Sequence, residues 1–103
     1  MSVLVEFAMF PTDKGESVSS YVSRIILMME KSKASYRLTP MGTVFETETM
    51  KEALEIIDKA YQELEPDCNR VYSSLNFDIR KGKNDRLESK IKSIEEKIGT
   101  VKK

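Results

Sequence analysis

Histidine and tryptophan are absent from the 103 residues, and cysteine occurs once, at Cys68. Without histidine the chain lacks the side chain that most often serves as a general base or metal ligand. A single cysteine forms no internal disulfide and no zinc cluster, and no histidine is present to activate it as a nucleophile. We therefore predict no catalytic residue, no metal site and no cofactor, and we interpret Cys68 as an inert structural thiol in a reducing cytoplasm.

The sequence also lacks a long apolar run and an excess of charge of one sign. No stretch approaches the length that crosses a membrane, and no signal peptide opens the chain, so we expect a cytoplasmic protein without a membrane partner. Seventeen basic side chains balance seventeen acidic ones, so no net field attracts nucleic acid. Basic residues concentrate after Arg80, but no aromatic residues alternate with them, and a solvated helix face is the favoured interpretation.

The chain does contain an order of patterned segments that uses its full length. Strand patterns cover residues 2–10, 36–41, 43–48 and 70–80, and helical patterns cover about 17–33, the segment between Thr49 and Pro66, and about 85–98. Ser17 is a plausible N-cap of the first helix, and Thr49 and Asp85 each begin a capping-box spacing. The first strand is apolar on both faces, which indicates a central position in a sheet.

The resulting βαββαβ order predicts a single ferredoxin-like α+β domain over residues 1–103, extended by a C-terminal helix and a short tail at 99–103. Right-handed crossovers give an antiparallel sheet of order 4-1-3-2, with two helices on one face. The first strand is then an inner strand, in agreement with its two apolar faces.

The face turned away from those two helices decides what such a domain binds. We expect this face to present a mixture of apolar and polar side chains, namely Leu4, Glu6, Ala8, Phe10, Val44, Glu46, Asn76 and Asp78. That mixture is too apolar to be left in water and too polar to form a sealed core, so a second copy of the chain is expected to cover it. We predict a homo-oligomer, dimer or tetramer, that self-associates through this helix-free face.

Two carboxylates on that face, Glu6 and Glu46, are the most informative polar residues. A carboxylate in an otherwise apolar central strand needs a partner, which makes Glu6 the strongest site candidate. The pair is open to three interpretations: acid–base catalysis, acceptance of a ligand, or salt bridges across an interface. In the last case the partners are arginines of a neighbouring subunit, Arg24, Arg37 or Arg80.

Three stretches of the chain resemble a known family. They are Val3–Pro11, the hairpin Pro40–Glu46, and Asp78–Gly82; together with the helix entry at Gly15–Val22 they resemble the small thiamine-binding family related to YkoF. The resemblance implies a ferredoxin-like fold, assembly through the sheets into dimers and tetramers, and no established enzymatic activity. It also implies that some members bind thiamine or its hydroxymethylpyrimidine portion. Thr47 stands where the family often has glycine, which affects the shape of any pocket.

The implied ligand combines a cationic thiazolium ring with an aminopyrimidine that donates and accepts hydrogen bonds. A site for it needs negative charge, an apolar or aromatic wall, and hydroxyl or amide partners. The candidates are Glu6 and Glu46 for charge, Phe10 and Tyr21 for the wall, and Ser17, Thr43 and Asn76 for hydrogen bonds, although each also has an ordinary structural explanation. We predict a binding protein for thiamine or a related pyrimidine, acting as carrier, buffer or sensor; the alternative is a ligand-free regulatory or interaction oligomer.

Overall fold

Four strands and three helices make up the computed structural model, which describes all residues, 1–103. In chain order the elements are β1 Ser2–Pro11, α1 Ser19–Lys31, β2 Ser35–Thr39, β3 Gly42–Thr47, α2 Met50–Leu64, β4 Val71–Arg80 and α3 Arg86–Ile98. The strands form one antiparallel sheet in the order β2-β3-β1-β4. Counted from the other edge this order is 4-1-3-2, so the predicted ferredoxin-like α+β fold is confirmed.

The register of the sheet determines which side chains share a face. Val5 lies opposite Phe45 on one side and Phe77 on the other, whereas Glu6 lies opposite Val44 and Asn76. Odd-numbered residues of β1 therefore face α1 and α2, and even-numbered residues face away. The core between the sheet and these helices consists of Val3, Val5, Phe7, Met9, Ile25, Met29, Phe45, Ala53, Ala60, Leu64 and Cys68.

The two helices of the core begin in different ways. At α2, Thr49 Oγ1 accepts the main-chain N–H of Glu52 at 3.1 Å, so Thr49 caps the helix, and it donates to the Glu52 carboxylate at 2.8 Å, a contact that takes the place of the main-chain bond of a full capping box. At α1 the prediction of Ser17 as N-cap is wrong. The helix begins at Ser19 with Val18 as its cap and no side-chain cap. Because Val18 makes the turn into the helix, the Ser17 hydroxyl lies one residue too early to cap it.

The third helix lies against the face of the sheet that is predicted to be free of helices. Leu87 of α3 is buried, and together with Ile91 it borders a groove of about 700 Å³ whose sheet side includes Leu4 and Val44. The prediction of a helix-free face is therefore wrong at this end of the sheet. The physical reason is the apolar stripe of α3, which needs an apolar surface to cover it and finds one there. None of the three helices combines the length and apolarity needed to cross a bilayer.

Candidate ligand-binding site

A cavity of about 340 Å³ lies where β1 runs past the end of β3. β3 pairs with β1 only as far as Phe7 opposite Thr43, whereas β1 continues along β4 to Pro11. The N-terminal half of α1 and the β2–β3 hairpin close the opening. No charged side chain lines this cavity, and its walls are mainly apolar: Phe7, Ala8, Met9, Phe10, Val18, Val22, Ile25, Ile26, Leu38, Thr39, Pro40, Met41, Gly42 and Thr43.

The hairpin that forms one wall is held tightly against β1. A Cβ atom at Gly42 would lie 2.8 Å from the Phe7 carbonyl oxygen, so only glycine allows this approach. Thr39 Oγ1 accepts the N–H groups of Met41 and Gly42 at 3.2 and 3.1 Å and donates to the Gly42 carbonyl at 2.8 Å. These three bonds use the full capacity of the Thr39 hydroxyl, so it is not available to a ligand.

Thr43 provides the free hydroxyl of the cavity. Its side chain is buried, 5% exposed, and its Oγ1 makes no hydrogen bond within the chain. No fully buried side-chain oxygen lacks a hydrogen-bond partner, so the unpartnered Thr43 hydroxyl is accessible, and Thr43 lines the cavity. A ligand that hydrogen bonds to Thr43 therefore replaces water rather than an existing contact.

The main chain supplies a second polar group at the same place. The Thr12 N–H donates to the Arg70 carbonyl at 2.8 Å, and the register between β1 and β4 is constant. Even-numbered residues of β1 therefore bond to β4, and odd-numbered residues direct their N–H and C=O groups to the β3 side. Met9 is odd-numbered, but β3 does not extend to it, and the nearby Met41 N–H donates to Thr39 Oγ1 instead. The peptide groups of Met9 thus open on the cavity without a partner in the chain.

Phe10 and Thr43 are the two predicted site residues that line the cavity. Ser17 and Tyr21 do not line the cavity; they precede two lining residues, Val18 and Val22 respectively, in the sequence. Ser17 is exposed, whereas Tyr21 packs against the core and its ring lies under the Arg24 guanidinium at 4.8 Å. The structure therefore places two of the seven predicted residues, Phe10 and Thr43, in the cavity lining.

Glu6 and Asn76 lie together on the outer face of the sheet, directly opposite each other on β1 and β4. Both are exposed, and the Glu6 carboxylate makes no hydrogen bond or ion pair within the chain. Glu6 shares its face with Ala8, which lines the cavity, and two residues of a strand span about 7 Å. The free carboxylate is therefore close to the cavity but outside it.

Glu46, the last of the predicted residues, is engaged within the chain. Its Oε2 accepts the Arg86 N–H at 2.9 Å and the Ser2 hydroxyl, and its Oε1 accepts the Leu87 N–H at 3.0 Å. The predicted capping role of Asp85 is wrong, because this residue has a left-handed backbone, φ 53°, and makes no side-chain cap. Glu46 caps α3 in its place, at the positive end of the helix dipole.

Electrostatics at Glu46 agree with a capping role. Burial raises the pKa of this carboxyl, but hydrogen bonds from Ser2, Leu87 and Arg86 and the Arg86 charge outweigh that effect, so the pKa lies below its usual value. Arg86 is itself buried and donates to the Ser2 carbonyl at 3.0 Å, while its guanidinium pairs with Asp78 at 2.9 Å. Both carboxylate oxygens of Glu46 are thus committed to the attachment of α3.

Three arginines, Arg24, Arg37 and Arg80, are candidate partners for carboxylates across an interface. Two of them already form ion pairs within the chain. Arg24 forms a two-pronged ion pair with Asp67, with both distances 2.9 Å, and Arg37 pairs with Glu88 of α3. Arg80 has no such pair.

No group of three or more acidic or cysteine side chains is arranged to hold a metal ion.

A family model described as thiamine-binding protein matches residues 5–95, which include the whole cavity lining. The chain belongs to the thiamine-binding protein family. The resemblance drawn from the sequence is thereby confirmed, and the family is described by a binding activity rather than by a reaction.

Members of the family that are similar to this chain come from archaea and bacteria. The UPF0045 protein MJ1052 of Methanocaldococcus jannaschii is 37% identical over 94 residues, which cover 91% of this chain and 93% of that protein. A UPF0045 protein of Methanothermobacter thermautotrophicus is 34% identical over 83 residues, 80% of this chain and 84% of its own length. Both matches cover at least four fifths of each protein.

Two solved structures show the same fold. The crystal structure of MJ1052 superposes with a TM-score of 0.81 at 37% identity and covers 92% of this chain and 97% of its own. A Thermotoga maritima protein, named as a candidate thiamine biosynthesis/salvage protein, superposes with a TM-score of 0.78 at 20% identity and covers 91% of this chain and 99% of its own. At that identity the second likeness speaks for the fold alone.

Within this thiamine-binding family member, the features of the cavity that sequence reasoning misses are main-chain features and apolar walls. Met9 and Val22 carry no chemical signal in the sequence, because one acts through its peptide groups and the other is an ordinary apolar helix residue. The available signal is a difference in length, since the first predicted strand, residues 2–10, is longer than residues 43–48, the strand that pairs with it, and so extends beyond it.

Proposed function

We propose that the protein binds thiamine or a related pyrimidine in the cavity beside Met9 and acts as a carrier, buffer or sensor without catalysing a reaction. The observation that carries this proposal is the combination of an uncharged, mainly apolar cavity with a free hydroxyl, Thr43, and a free main-chain donor and acceptor. Pockets for small organic ligands have this composition, with few polar groups that fix orientation. Membership of the thiamine-binding family supports the choice of ligand.

The two halves of thiamine have different requirements, which the site meets in two places. The neutral pyrimidine suits the cavity, where Phe10 offers a ring and Thr43 a hydroxyl. The cationic thiazolium is costly to place in an uncharged cavity, so it lies outside, toward the free carboxylate of Glu6. Asn76, directly opposite Glu6, is available to orient that carboxylate. Ser17, which precedes the lining residue Val18 in the sequence, is assigned to the entrance beside α1, whereas Tyr21 packs against the core and is not assigned a contact with the ligand.

Calorimetric titration with thiamine tests the proposal. The wild-type protein is expected to release or absorb measurable heat, and Val22→Phe, which fills the cavity from α1, is expected to abolish it. Val101→Phe makes the same change in the C-terminal tail and should leave binding intact. Silence of the wild-type protein at millimolar thiamine, or equal binding by Val22→Phe, contradicts the proposal.

The carboxylate is tested separately, with two ligands. Glu6→Gln is expected to weaken thiamine binding and to leave binding of neutral hydroxymethylpyrimidine nearly unchanged, because only thiamine carries the positive charge. Equal loss for both ligands contradicts the assignment of Glu6 to the thiazolium ring.

The homo-oligomer, dimer or tetramer, remains part of the proposal. Two surfaces support it. The stripe of α3 becomes progressively more exposed toward its end, where Ile94 and Ile98 are 51% and 72% exposed. β4 is an edge strand of ten residues, Val71–Arg80, with an unpaired outer side, and an edge this long is a ready template for another strand. The outer face around Glu6 is adjacent to both.

The same surfaces favour a second candidate function, a regulatory or interaction oligomer without a small ligand. The titration with thiamine separates the two functions, because a protein that only forms an oligomer and binds no small ligand releases no heat when thiamine is added.

We further propose a cytoplasmic location without a nucleic-acid partner. The lone buried thiol of Cys68 and the balance of charge support this part of the proposal.

A further inference from the structure

We propose that the main-chain N–H and C=O of Met9 determine ligand specificity by pairing with a neighbouring acceptor and donor on the edge of a neutral heteroaromatic ring. This inference rests on the proposed function and adds the contact that selects the ligand. Met9 is 6% exposed and borders the cavity. Buried peptide groups without a partner are rare because each costs free energy, so a bound molecule that satisfies both is favoured.

On the β3 side of β1, only Met9 has both an unpaired N–H and an unpaired C=O. The unpaired stretch is therefore one residue long, which limits the size of the molecule that can pair with it. On one side Phe7 lies opposite Thr43 within the paired region. On the other side Pro11, the next residue that faces this way, has no N–H. An added strand needs several consecutive residues with free peptide groups, and the hairpin turn already occupies the adjacent space. The free edge of Met9 therefore suits a small molecule and not a peptide strand.

The free N–H and C=O of Met9 determine which polar groups the ligand must carry on the side that faces them. An extended residue presents its N–H and C=O side by side in the same direction, so the complementary ring carries an acceptor nitrogen beside an amino group. An aminopyrimidine has this arrangement, whereas the thiazolium ring has no amino group and its nitrogen carries no free lone pair. The absence of charged side chains from the lining excludes a cationic ring for a second, independent reason.

Amide hydrogen exchange measured by NMR tests the contact at the atom concerned. In the free protein the Met9 amide is expected to exchange much faster than the Phe7 amide, which is paired in the ladder. Saturation with hydroxymethylpyrimidine should slow exchange at Met9 by about tenfold or more and leave Phe7 nearly unchanged. Binding of the pyrimidine with no change at Met9 overturns this inference and leaves the proposed function standing. Absence of binding by both thiamine and the pyrimidine overturns both.

A second experiment removes the donor without changing a side chain. Replacement of Met9 by its α-hydroxy acid turns the N–H into an ester oxygen; the same replacement at Lys14, in the exposed loop before α1, is the control. The loss of one hydrogen bond is expected to weaken pyrimidine binding about threefold to tenfold at position 9 and not at position 14. The des-amino analogue of the pyrimidine, which carries hydrogen in place of the amino group and so lacks the donor, should bind more weakly to the wild-type protein. Equal affinity of the ester and wild-type proteins, or of the two pyrimidines, overturns the inference.

Discussion

Glu46 Oε2 accepts the main-chain N–H of Arg86 at 2.9 Å, across forty residues of sequence. This contact joins the end of β3 to the first turn of α3 and so fixes where the last helix leaves the sheet. An acidic residue on a sheet face thus acts as a helix cap, and the remaining free carboxylate on that face, Glu6, is left to meet a ligand or a second subunit.

Substitution of Glu46 is therefore expected to loosen α3 rather than to abolish binding. Glu46→Gln removes the charge and turns one acceptor into a donor that faces main-chain N–H groups. We expect a loss of about 1–3 kcal/mol in the free energy of unfolding, measured by denaturant titration. Glu48→Gln, two residues along and without a partner in the structure, is the matched control. Unchanged stability of Glu46→Gln contradicts the capping role.

Attachment of α3 is also expected to depend on pH. The pKa of Glu46 is lowered on balance by its hydrogen bonds and by Arg86, against burial, and the pKa of Asp78 is lowered chiefly by its hydrogen bond from Arg86. Lowered folded-state values mean that this stabilisation is complete above the ordinary carboxyl pKa of about 4 and is lost as the pH falls through the folded values.

The amide signals of Arg86 and Leu87 in NMR spectra report this transition. In wild-type protein they should move together at acid pH, below the range in which an ordinary glutamate titrates. In Glu46→Gln the transition of these two signals should be reduced. If the two amide signals instead move at an ordinary glutamate pKa, the contact with Glu46 does not stabilise the folded state.

The fold was largely predictable from periodicity, because alternation in β1 and helical spacing in α1 and α2 report directly on burial. Contacts that join distant parts of the chain were not. The sequence around Asp85 contains a capping-box spacing, yet Glu46 fills that role, since the tertiary contact replaces the local one. The cavity was only partly predictable, because Phe10 and Thr43 are recognisable ligand-binding types but the free peptide groups of Met9 depend on where β3 ends.

The hydroxyl of Thr43 should contribute to affinity and little to the fold. Thr43→Val keeps the β-branched shape that suits a strand but removes the one free hydroxyl of the cavity. We expect thiamine or pyrimidine to bind about threefold to tenfold more weakly by calorimetry, whereas Thr43→Ser keeps most of the affinity. Thr100→Val, in the exposed tail, serves as control. Full affinity of Thr43→Val would exclude a contact with the ligand.

Self-association through the outer edge of β4 is tested by proline substitutions at neighbouring positions. The N–H of Ser73 points to the open edge, because even-numbered residues of β4 bond to β1. Ser73→Pro is therefore expected to reduce the mass measured by analytical ultracentrifugation and to keep the fold, whereas Ser74→Pro should unfold the sheet. A wild-type protein that is monomeric, or an unchanged oligomer in Ser73→Pro, contradicts this route of assembly.

A chemical-shift map of the amide signals during titration shows where thiamine binds. Binding in the cavity beside Met9 is expected to give the largest changes at residues 8–10, 39–43 and 18–26, which surround the cavity. Changes confined to α3 and the groove beneath it, or no changes at millimolar thiamine, would contradict it.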